Sequence, residues 1–182
     1  MKYKIKAGRH RAWPPCVKAY VNRKVISCQV TFSKGCAYSI AGEDQNDTNK
    51  LFGIGYVPWW KMPLVFLAGA FGSALINNEH HNDSARFGWR YDTVLQKIVV
   101  SAYCYVAGVR KITELVSIPV GETIRCSIRI EKDHYIFHVY GVNILQRHVV
   151  PFSHKKTLGY RLGVYFGGNK VAPNDMEIIM TS

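Results

Sequence analysis

Hydrophobic and polar residues alternate along several short stretches of this sequence, and this period of two constrains the fold more than any other feature. In Thr123–Ile130 every second residue is isoleucine or cysteine, and arginine or serine lies between them. Val25–Phe32 and Lys97–Val106 are patterned in a similar way. Successive side chains of a β-strand point to opposite faces, so each stretch predicts a strand with one buried face.

Further strands are predicted at short intervals towards the C-terminus. Tyr135–Tyr140, Tyr160–Phe166 and Met176–Met180 are rich in aromatic and aliphatic residues, and turn-forming glycine, proline and asparagine separate them. Few stretches have the period of about 3.6 residues that is typical of a helix. The 182 residues, 48% of them hydrophobic, suffice for one core, and no linker divides them. The sequence therefore predicts an all-β fold, a two-sheet antiparallel β-sandwich that forms a single domain over residues 1–182.

Positive charge is concentrated near the N-terminus. The formal net charge is +12, and residues 1–36 contain nine lysines and arginines but no acidic residue. The basic segment of about residues 1–24 predicts an arm that contacts nucleic acid, an anionic membrane, an acidic glycan or an acidic protein, or a solvated surface. No apolar segment follows these charges as in a secretory signal, so we expect a chain made in the cytoplasm, which could be associated with a virion or exported by another route.

Several other classes of site and segment are disfavoured by the sequence. The five cysteines form no CxxC pair, which argues against a zinc site and predicts that Cys28, Cys104 and Cys126 are reduced core residues. No nucleotide-binding motif occurs, and the acidic loop Ala41–Lys50 lacks the spacing of an EF-hand, so neither nucleotide nor calcium is expected as a cofactor. The apolar run Met62–Ile76 is shorter than the roughly 20 residues that span a bilayer, and we expect it to be buried core.

Two segments resemble strands of the concanavalin A-like lectin/glucanase superfamily. Gly121–Val139, GETIRCSIRIEKDHYIFHV, is similar to the back-sheet hairpin of these domains, and Tyr160–Met180, YRLGVYFGGNKVAPNDMEIIM, is similar to their last two strands. The resemblance implies a jelly roll with a curved sheet whose concave face binds carbohydrate. Glucanases of this fold carry an E-x-D-x-x-E cluster that supplies two catalytic carboxylates, and its absence here argues against a retaining glucanase.

A shorter segment is similar to alginate-lyase-like members of the superfamily. YRLGVY at Tyr160–Tyr165 resembles their FKAGVY segment, whereas their R-[ST]-E-[LV]-R and Q-[IV]-H strands are absent. The resemblance implies an alternative function, a polysaccharide lyase that cleaves a uronate-containing glycan by β-elimination. In that alternative Tyr165 acts as base and acid, Arg86 or Arg125 neutralises the uronate carboxylate, and His138 or His81 assists.

Arginines and tyrosines dominate the positions opposite the predicted core faces. Arginine matches carboxylates with two parallel hydrogen bonds, and tyrosine presents an apolar ring with a polar tip. We therefore expect one concave face that binds an acidic carbohydrate without catalysing a reaction, although the same alternation is also typical of an ordinary solvated face. The expected binding residues are Arg86, Arg90, Tyr103, Tyr105, Arg125, Arg129 and Tyr165, with Trp60 and His81 at the rim.

Two further hypotheses remain. The adjacent pair His80 and His81 could contribute to a metal site, but no second pair of ligands completes one, so no metal is expected. The chain could instead be a structural assembly protein that forms oligomers through its basic N-terminal segment. That hypothesis predicts that removal of residues 1–12 abolishes oligomerisation and leaves the sandwich folded.

Overall fold

Thirteen β-strands account for most of the regular structure in the residues that the computed structural model describes, which are 1–15, 19–20, 23–57, 60, 63, 79–152 and 158–181. In chain order the strands are β1 (Lys2–Ile5), β2 (Ala12–Trp13), β3 (Ala19–Tyr20), β4 (Val25–Phe32), β5 (Asn49–Val57), β6 (Ser84–Asp92), β7 (Lys97–Val106), β8 (Val109–Ile118), β9 (Thr123–Ile130), β10 (His134–Gly141), β11 (Ile144–Pro151), β12 (Leu158–Leu162) and β13 (Met176–Thr181). Short 3-10 turns lie at Lys34–Cys36, Gly42–Asn46 and Glu79–His81.

The strands form two antiparallel sheets that pack face to face. The first sheet has the order β11-β10-β9-β4-β13-β1-β2, and the second has the order β3-β12-β5-β6-β7-β8. Side chains from the inner faces of both sheets form one hydrophobic cluster, in which Phe32, Trp89 and Phe137 are fully buried. The predicted all-β, two-sheet sandwich is confirmed.

The alternation in sequence appears directly as alternation in burial. In β9 the residues Ile124, Cys126, Ile128 and Ile130 are buried, and the residues between them are exposed or half-buried. The β12 strand is shorter than predicted, because the chain leaves the ladder after Leu162 and regains only isolated pairing at Tyr165.

Strand β5 was not predicted, because its burial hides the alternation. Eight of its nine residues are buried, so polar residues do not mark an outer face. Glycines occupy outward positions of this strand, where a neighbouring side chain leaves no room for a larger residue. An added Cβ at Gly55 would lie 2.9 Å from Cζ of Tyr160 on the neighbouring strand. The loop predicted over Ala41–Lys50 ends two residues early, since Asn49 and Lys50 begin β5.

The basic N-terminal segment is not a free arm over its described first part. Strand β1 lies inside the first sheet between β13 and β2. Tyr3 and Ile5 are each 1% exposed and belong to the core, while Lys2 and Lys6 form ion pairs with Glu177 and Asp175. Alternation therefore operates here too, with lysines outside and apolar residues inside. The expectation of a free arm is wrong for β1, whereas the alternative of a solvated basic surface agrees with its exposed lysines.

The described cysteines are buried. Cys28, Cys104 and Cys126 face the core as predicted, and Cys36 joins them. Burial raises the pKa of the Cys36 and Cys104 thiols to about 12, so both stay protonated at neutral pH. Cys16, and Met62–Ile76 apart from Pro63, lie outside the described residues. Among the residues that are described, no helix has the length and apolar character needed to span a membrane.

Replacement of Ile128 by alanine is expected to destabilise the fold by about 2–5 kcal/mol, because the lost side chain leaves a cavity in a rigid core. Ile128 is fully buried and pairs with Ile26 on one side and Phe137 on the other. Urea denaturation measures the change in the free energy of unfolding. The exposed neighbour is the control: Arg129→Ala should change that free energy by no more than about 0.5 kcal/mol. Equal effects of the two variants would contradict this assignment of the core face.

Candidate functional site

The candidate site lies on the outer face of the second sheet, opposite the core. In β6 the residues Ala85, Phe87 and Trp89 belong to the hydrophobic core. Because successive side chains alternate, Arg86 and Gly88 face outwards. Arg86 is nonetheless only 5% exposed, so it lies at the floor of a recessed surface.

The strand register brings a second cation and two tyrosines next to Arg86. Arg86 pairs with Gly53 of β5 on one side and with Tyr103 of β7 on the other. Lys50 pairs with Gly88, which is the next residue after Arg86 on the same face of β6. Nζ of Lys50 lies 5.0 Å from the centroid of the Tyr103 ring. An added Cβ at Gly53 would lie 2.4 Å from Cβ of Arg86, and one at Gly167 would lie 2.5 Å from Nζ of Lys50, so these two glycines leave room for the cations.

Tyr165 joins this surface through backbone pairing with β5. Its N–H donates to the Lys50 carbonyl at 3.0 Å, and the Lys50 N–H donates to the Tyr165 carbonyl at 2.8 Å. Directly paired residues project to the same side of a sheet, which places Tyr165 on the face of Lys50. The side chain of Tyr165 is 37% exposed, so it is open to a ligand.

The N-terminal segment also reaches this surface. The His10 ring stacks on Tyr165, with ring centroids 5.3 Å apart and an interplanar angle of 8°. Nδ1 of His10 lies 2.9 Å from the carbonyl oxygen of Phe166, so that nitrogen carries a proton and donates it. Arg11 pairs with Tyr165 in an isolated bridge. Residues of the segment that connects β1 and β2 therefore hold Tyr165 in place.

The positive charge at the floor of the site has no ion-paired acid among the described residues, although the Asp47 carboxylate lies near enough to Lys50 to raise its pKa. Nη2 of Arg86 donates to the Gly163 carbonyl at 3.0 Å, but within the described residues Nε has no hydrogen-bond partner. Lys50 donates to the Thr48 carbonyl at 2.7 Å. In the part of the chain that the structure describes, neither cation forms a salt bridge. A buried charge without a partner is costly, which makes this position favourable for an anion.

Burial lowers the pKa of both cations. Burial and, secondly, the nearby Arg86 lower the pKa of Lys50 from 10.5 to about 8, against an opposing effect of Asp47. Burial lowers the pKa of Arg86 to about 10. Both groups therefore carry a positive charge at neutral pH, but Lys50 loses its proton under mildly alkaline conditions.

Two histidines and two tyrosines line one end of the site. The His81 ring lies 4.9 Å from that of Tyr105, and the His80 ring lies 4.3 Å from that of His81. Burial is the main cause that lowers the pKa of both histidines, and the charge of Arg86 is the second. The pKa of His80 falls to about 3, and both rings are neutral at pH 7. Burial raises the pKa of Tyr103 to about 12, so its hydroxyl stays protonated. These rings supply hydrogen-bonding tips and apolar surfaces rather than charge.

Five of the expected binding residues meet at this site. They are Arg86, Tyr103, Tyr105, Tyr165 and His81, all on the outer face of the second sheet or at its end. Arg90 shares that face, but its guanidinium binds Asp92 and Glu114 at 2.9 Å each, so its charge is already balanced. Trp60 is 62% exposed, and its neighbours 58–59 and 61–62 lie outside the described residues.

Three expected residues belong to the other sheet. Arg125 and Arg129 are in β9 and His138 is in β10, and all three project from the outer face of the first sheet. The expectation that they share a face with Tyr165 is wrong, because the core lies between the two groups. Arg125 and His138 are therefore excluded from the lyase alternative at Tyr165, whereas Arg86 and His81 remain.

Sequence reasoning missed Lys50 and His10. Lys50 belongs to the strand hidden by uniform burial, and its role follows only from its pairing with Gly88 and Tyr165. His10 lies in the segment expected to be an arm. The glycines at positions 53 and 55, spaced two apart, were the one signal of a strand that approaches bulky neighbours closely. No cluster of histidine, cysteine or acidic side chains suited to a metal ion occurs in the described ranges.

Two alginate lyases of known structure share this architecture. The alginate lyase from Klebsiella pneumoniae superposes with a TM-score of 0.59 and 11% identity, over 86% of this chain and 56% of that chain. Alginate lyase AlyC3 superposes with a TM-score of 0.58 and 12% identity, over 100% of this chain and 72% of that chain. This chain thus spans little more than half the length of the Klebsiella enzyme. No family model and no curated protein sequence matches it.

These superpositions establish the fold. It is the concanavalin A-like jelly roll that the sequence resemblance implied. At 11% and 12% identity the similarity shows the fold alone.

Proposed function

We propose that the outer face of the second sheet binds an acidic polysaccharide and that Lys50 and Arg86 receive its carboxylates. The observation that carries the proposal is the pair of recessed cations, neither of which forms a salt bridge within the described chain. A guanidinium next to an ammonium group supplies charge-assisted hydrogen bonds to a carboxylate, and here the ammonium of Lys50 is the more accessible of the two, because Nε of Arg86 is enclosed. Such bonds are worth about 1.5–3 kcal/mol each.

The surroundings of the two cations favour a sugar as the carrier of the carboxylate. Tyr103, Tyr105 and Tyr165 lie around them, and an aromatic ring with a hydroxyl tip suits the apolar face and polar rim of a pyranose. The two superposed structures are both named alginate lyases, and alginate is a polymer of uronates. Alginate is therefore the first ligand to test.

Titration calorimetry with an alginate tetrasaccharide tests the proposal. We expect saturable binding that weakens as salt is added, because the contact is largely ionic. A neutral β-glucan tetrasaccharide is the matched ligand control and should not bind. If neither alginate nor other acidic glycans, including glucuronan and heparin-type chains, bind at physiological salt, the proposal is wrong.

The affinity for alginate is expected to depend on pH through Lys50. Since burial lowers the pKa of Lys50 to about 8, its ammonium is present below that pH and is lost above it. Binding requires the ammonium, so the affinity should be constant at neutral pH and fall by up to about tenfold per pH unit above 8. Calorimetry across this range measures the effect.

Lys50→Arg is the control for the pH dependence. Arginine keeps its charge at alkaline pH, so this variant should bind with an affinity that is nearly constant over the same range. An unchanged pH profile in this variant would assign the titration to another group.

The position of Tyr165 favours a second candidate function, a lyase acting on the bound uronate. Tyr165 is exposed, lies directly opposite Lys50, and is stacked on His10. In a β-elimination its oxygen takes the proton from C5 of the uronate. The electron pair forms the C4–C5 double bond as the C4–O glycosidic bond breaks, and the proton passes to the departing oxygen. Arg86 and Lys50 neutralise the carboxylate and so stabilise the charge that develops at C5.

The unsaturated product absorbs in the ultraviolet, which provides the test of the lyase. Alginate mixed with the protein should show rising absorbance, and Tyr165→Phe should abolish the rise while tetrasaccharide binding is retained. Tyr91→Phe, at a tyrosine that packs against the core and not on the outer face of either sheet, is the matched control and should behave as the unaltered protein. If binding occurs and no absorbance develops on alginate, glucuronan or heparin-type substrates, the lyase candidate is wrong and the binding function stands.

A further inference from the structure

The outer face of the first sheet carries a second group of cations, far from the site described above. Strands β9, β10 and β11 are neighbours, and their register aligns the outward side chains in rows. Tyr140 pairs with Arg125, and His138 pairs with Arg147. The outer basic patch is defined by Arg125, Arg129, His138, Tyr140 and Arg147.

The charge of the outer basic patch is largely unbalanced. Arg129 approaches one acid, with its Nε 4.0 Å from a Glu131 oxygen, which is the limit of an ion pair. Nε of Arg125 donates to the Ser27 hydroxyl at 3.2 Å. Across the described part of the chain, Arg125 and Arg147 form no ion pair. An exposed surface with three arginines and one distant carboxylate attracts a polyanion.

The patch also contains a pair of stacked rings. The centroids of His138 and Tyr140 are 5.7 Å apart with an interplanar angle of 19°, and Tyr140 is 40% exposed. The pKa of His138 is lowered by burial and then by Arg129 and Arg147, so its ring is neutral at pH 7. The rings therefore act as an apolar platform between the arginines.

We propose that the outer basic patch is a second binding surface for an acidic polysaccharide, so that one protein molecule bridges two polymer strands. The identity of the ligand rests on the function proposed above; the existence of the surface does not. The two outer faces are separated by both sheets, whose backbones alone lie about 10 Å apart. A short oligosaccharide cannot reach both faces, whereas long chains are cross-linked.

An acidic polysaccharide fits the patch better than a nucleic acid. Proteins that bind single-stranded nucleic acid stack successive bases on several exposed rings along a groove. Within the outer basic patch Tyr140 is the one substantially exposed ring among the described residues, because the exposed Trp13 belongs to β2 at the opposite edge of the first sheet. Carboxylates spaced along a sugar chain can meet Arg125 and Arg147, while one pyranose covers Tyr140.

Light scattering of the protein mixed with long-chain alginate tests the proposal. Scattering should rise with added polymer, pass through a maximum and fall at polymer excess, as expected for a bivalent cross-linker. The variant Arg125→Gln with Arg147→Gln should lose most of this rise, roughly fivefold or more, since one face then binds weakly. The affinity of the second-sheet site for the alginate tetrasaccharide, measured by calorimetry, should be unchanged because that site is intact, and any binding of the tetrasaccharide to the patch should be lost.

The matched control is Lys34→Gln with Lys170→Gln, which removes the same charge from exposed positions outside the patch. It should cross-link as the unaltered protein does. Cross-linking by the double arginine variant would overturn the second surface. The proposal would also be overturned if single-stranded DNA suppressed the scattering as effectively as alginate does at equal charge. The surface would then be a general polyanion site. Failure of the unaltered protein to bind the tetrasaccharide would instead overturn the function proposed above.

Discussion

Replacement of Lys50 by glutamine is expected to weaken alginate tetrasaccharide binding by about 10- to 100-fold. This corresponds to loss of one charge-assisted contact of about 1.5–3 kcal/mol. Lys50 is recessed beside Arg86 and Tyr103, where water competes poorly with a bound carboxylate. Calorimetry at pH 7 and at two salt concentrations measures the loss.

The fold should survive this substitution. Because burial already disfavours the charged form of Lys50, removal of the charge does not cost stability, and glutamine can still donate to the Thr48 carbonyl. Lys34→Gln, an exposed lysine away from the site, is the matched control and should bind normally. An affinity for Lys50→Gln within twofold of the control would show that the carboxylate is received elsewhere.

Deletion of residues 1–12 is expected to prevent stable folding. It removes β1 from the interior of the first sheet, together with the buried side chains of Tyr3 and Ile5. Loss of two such side chains costs about 2–5 kcal/mol each, against a total stability of about 5–15 kcal/mol for a typical domain. Thermal unfolding followed by circular dichroism should show no cooperative transition, or one at a much lower temperature.

Point variants separate this structural role from the assembly hypothesis. Tyr3→Ala should destabilise strongly, whereas Lys4→Ala, at the exposed position next to it, should have little effect. A truncated chain that unfolds cooperatively near the normal temperature but loses an oligomeric state would instead support the segment as an assembly arm.

The strands that the sequence predicts correctly are those whose two faces differ in polarity. In β4 and β9 the alternation is local, and it follows from one side facing a core and the other facing water. In β5 this signal disappears because both faces are covered, and the strand was missed together with Lys50. In β1 the alternation is present, but the lysines were interpreted as an arm.

The assignment of residues to a common site depended on information that alternation does not contain. A period of two says which side chains of one strand lie together, but not which sheet the strand joins. Arg86 and Arg125 occupy equivalent outward positions in their own strands, yet β6 pairs in the second sheet and β9 in the first. One predicted face therefore became two opposite surfaces.

The sequence by itself determined the fold class. Every strand with one face towards the core and one towards solvent must alternate apolar and polar residues, and this alternation can be recognised in the sequence. Only the tertiary structure decided the site. Pairing of β5 with β6, and of Tyr165 with Lys50, brings together residues from distant parts of the chain. These contacts are set by the register and order of the strands, and those depend on how the whole core packs rather than on any local pattern.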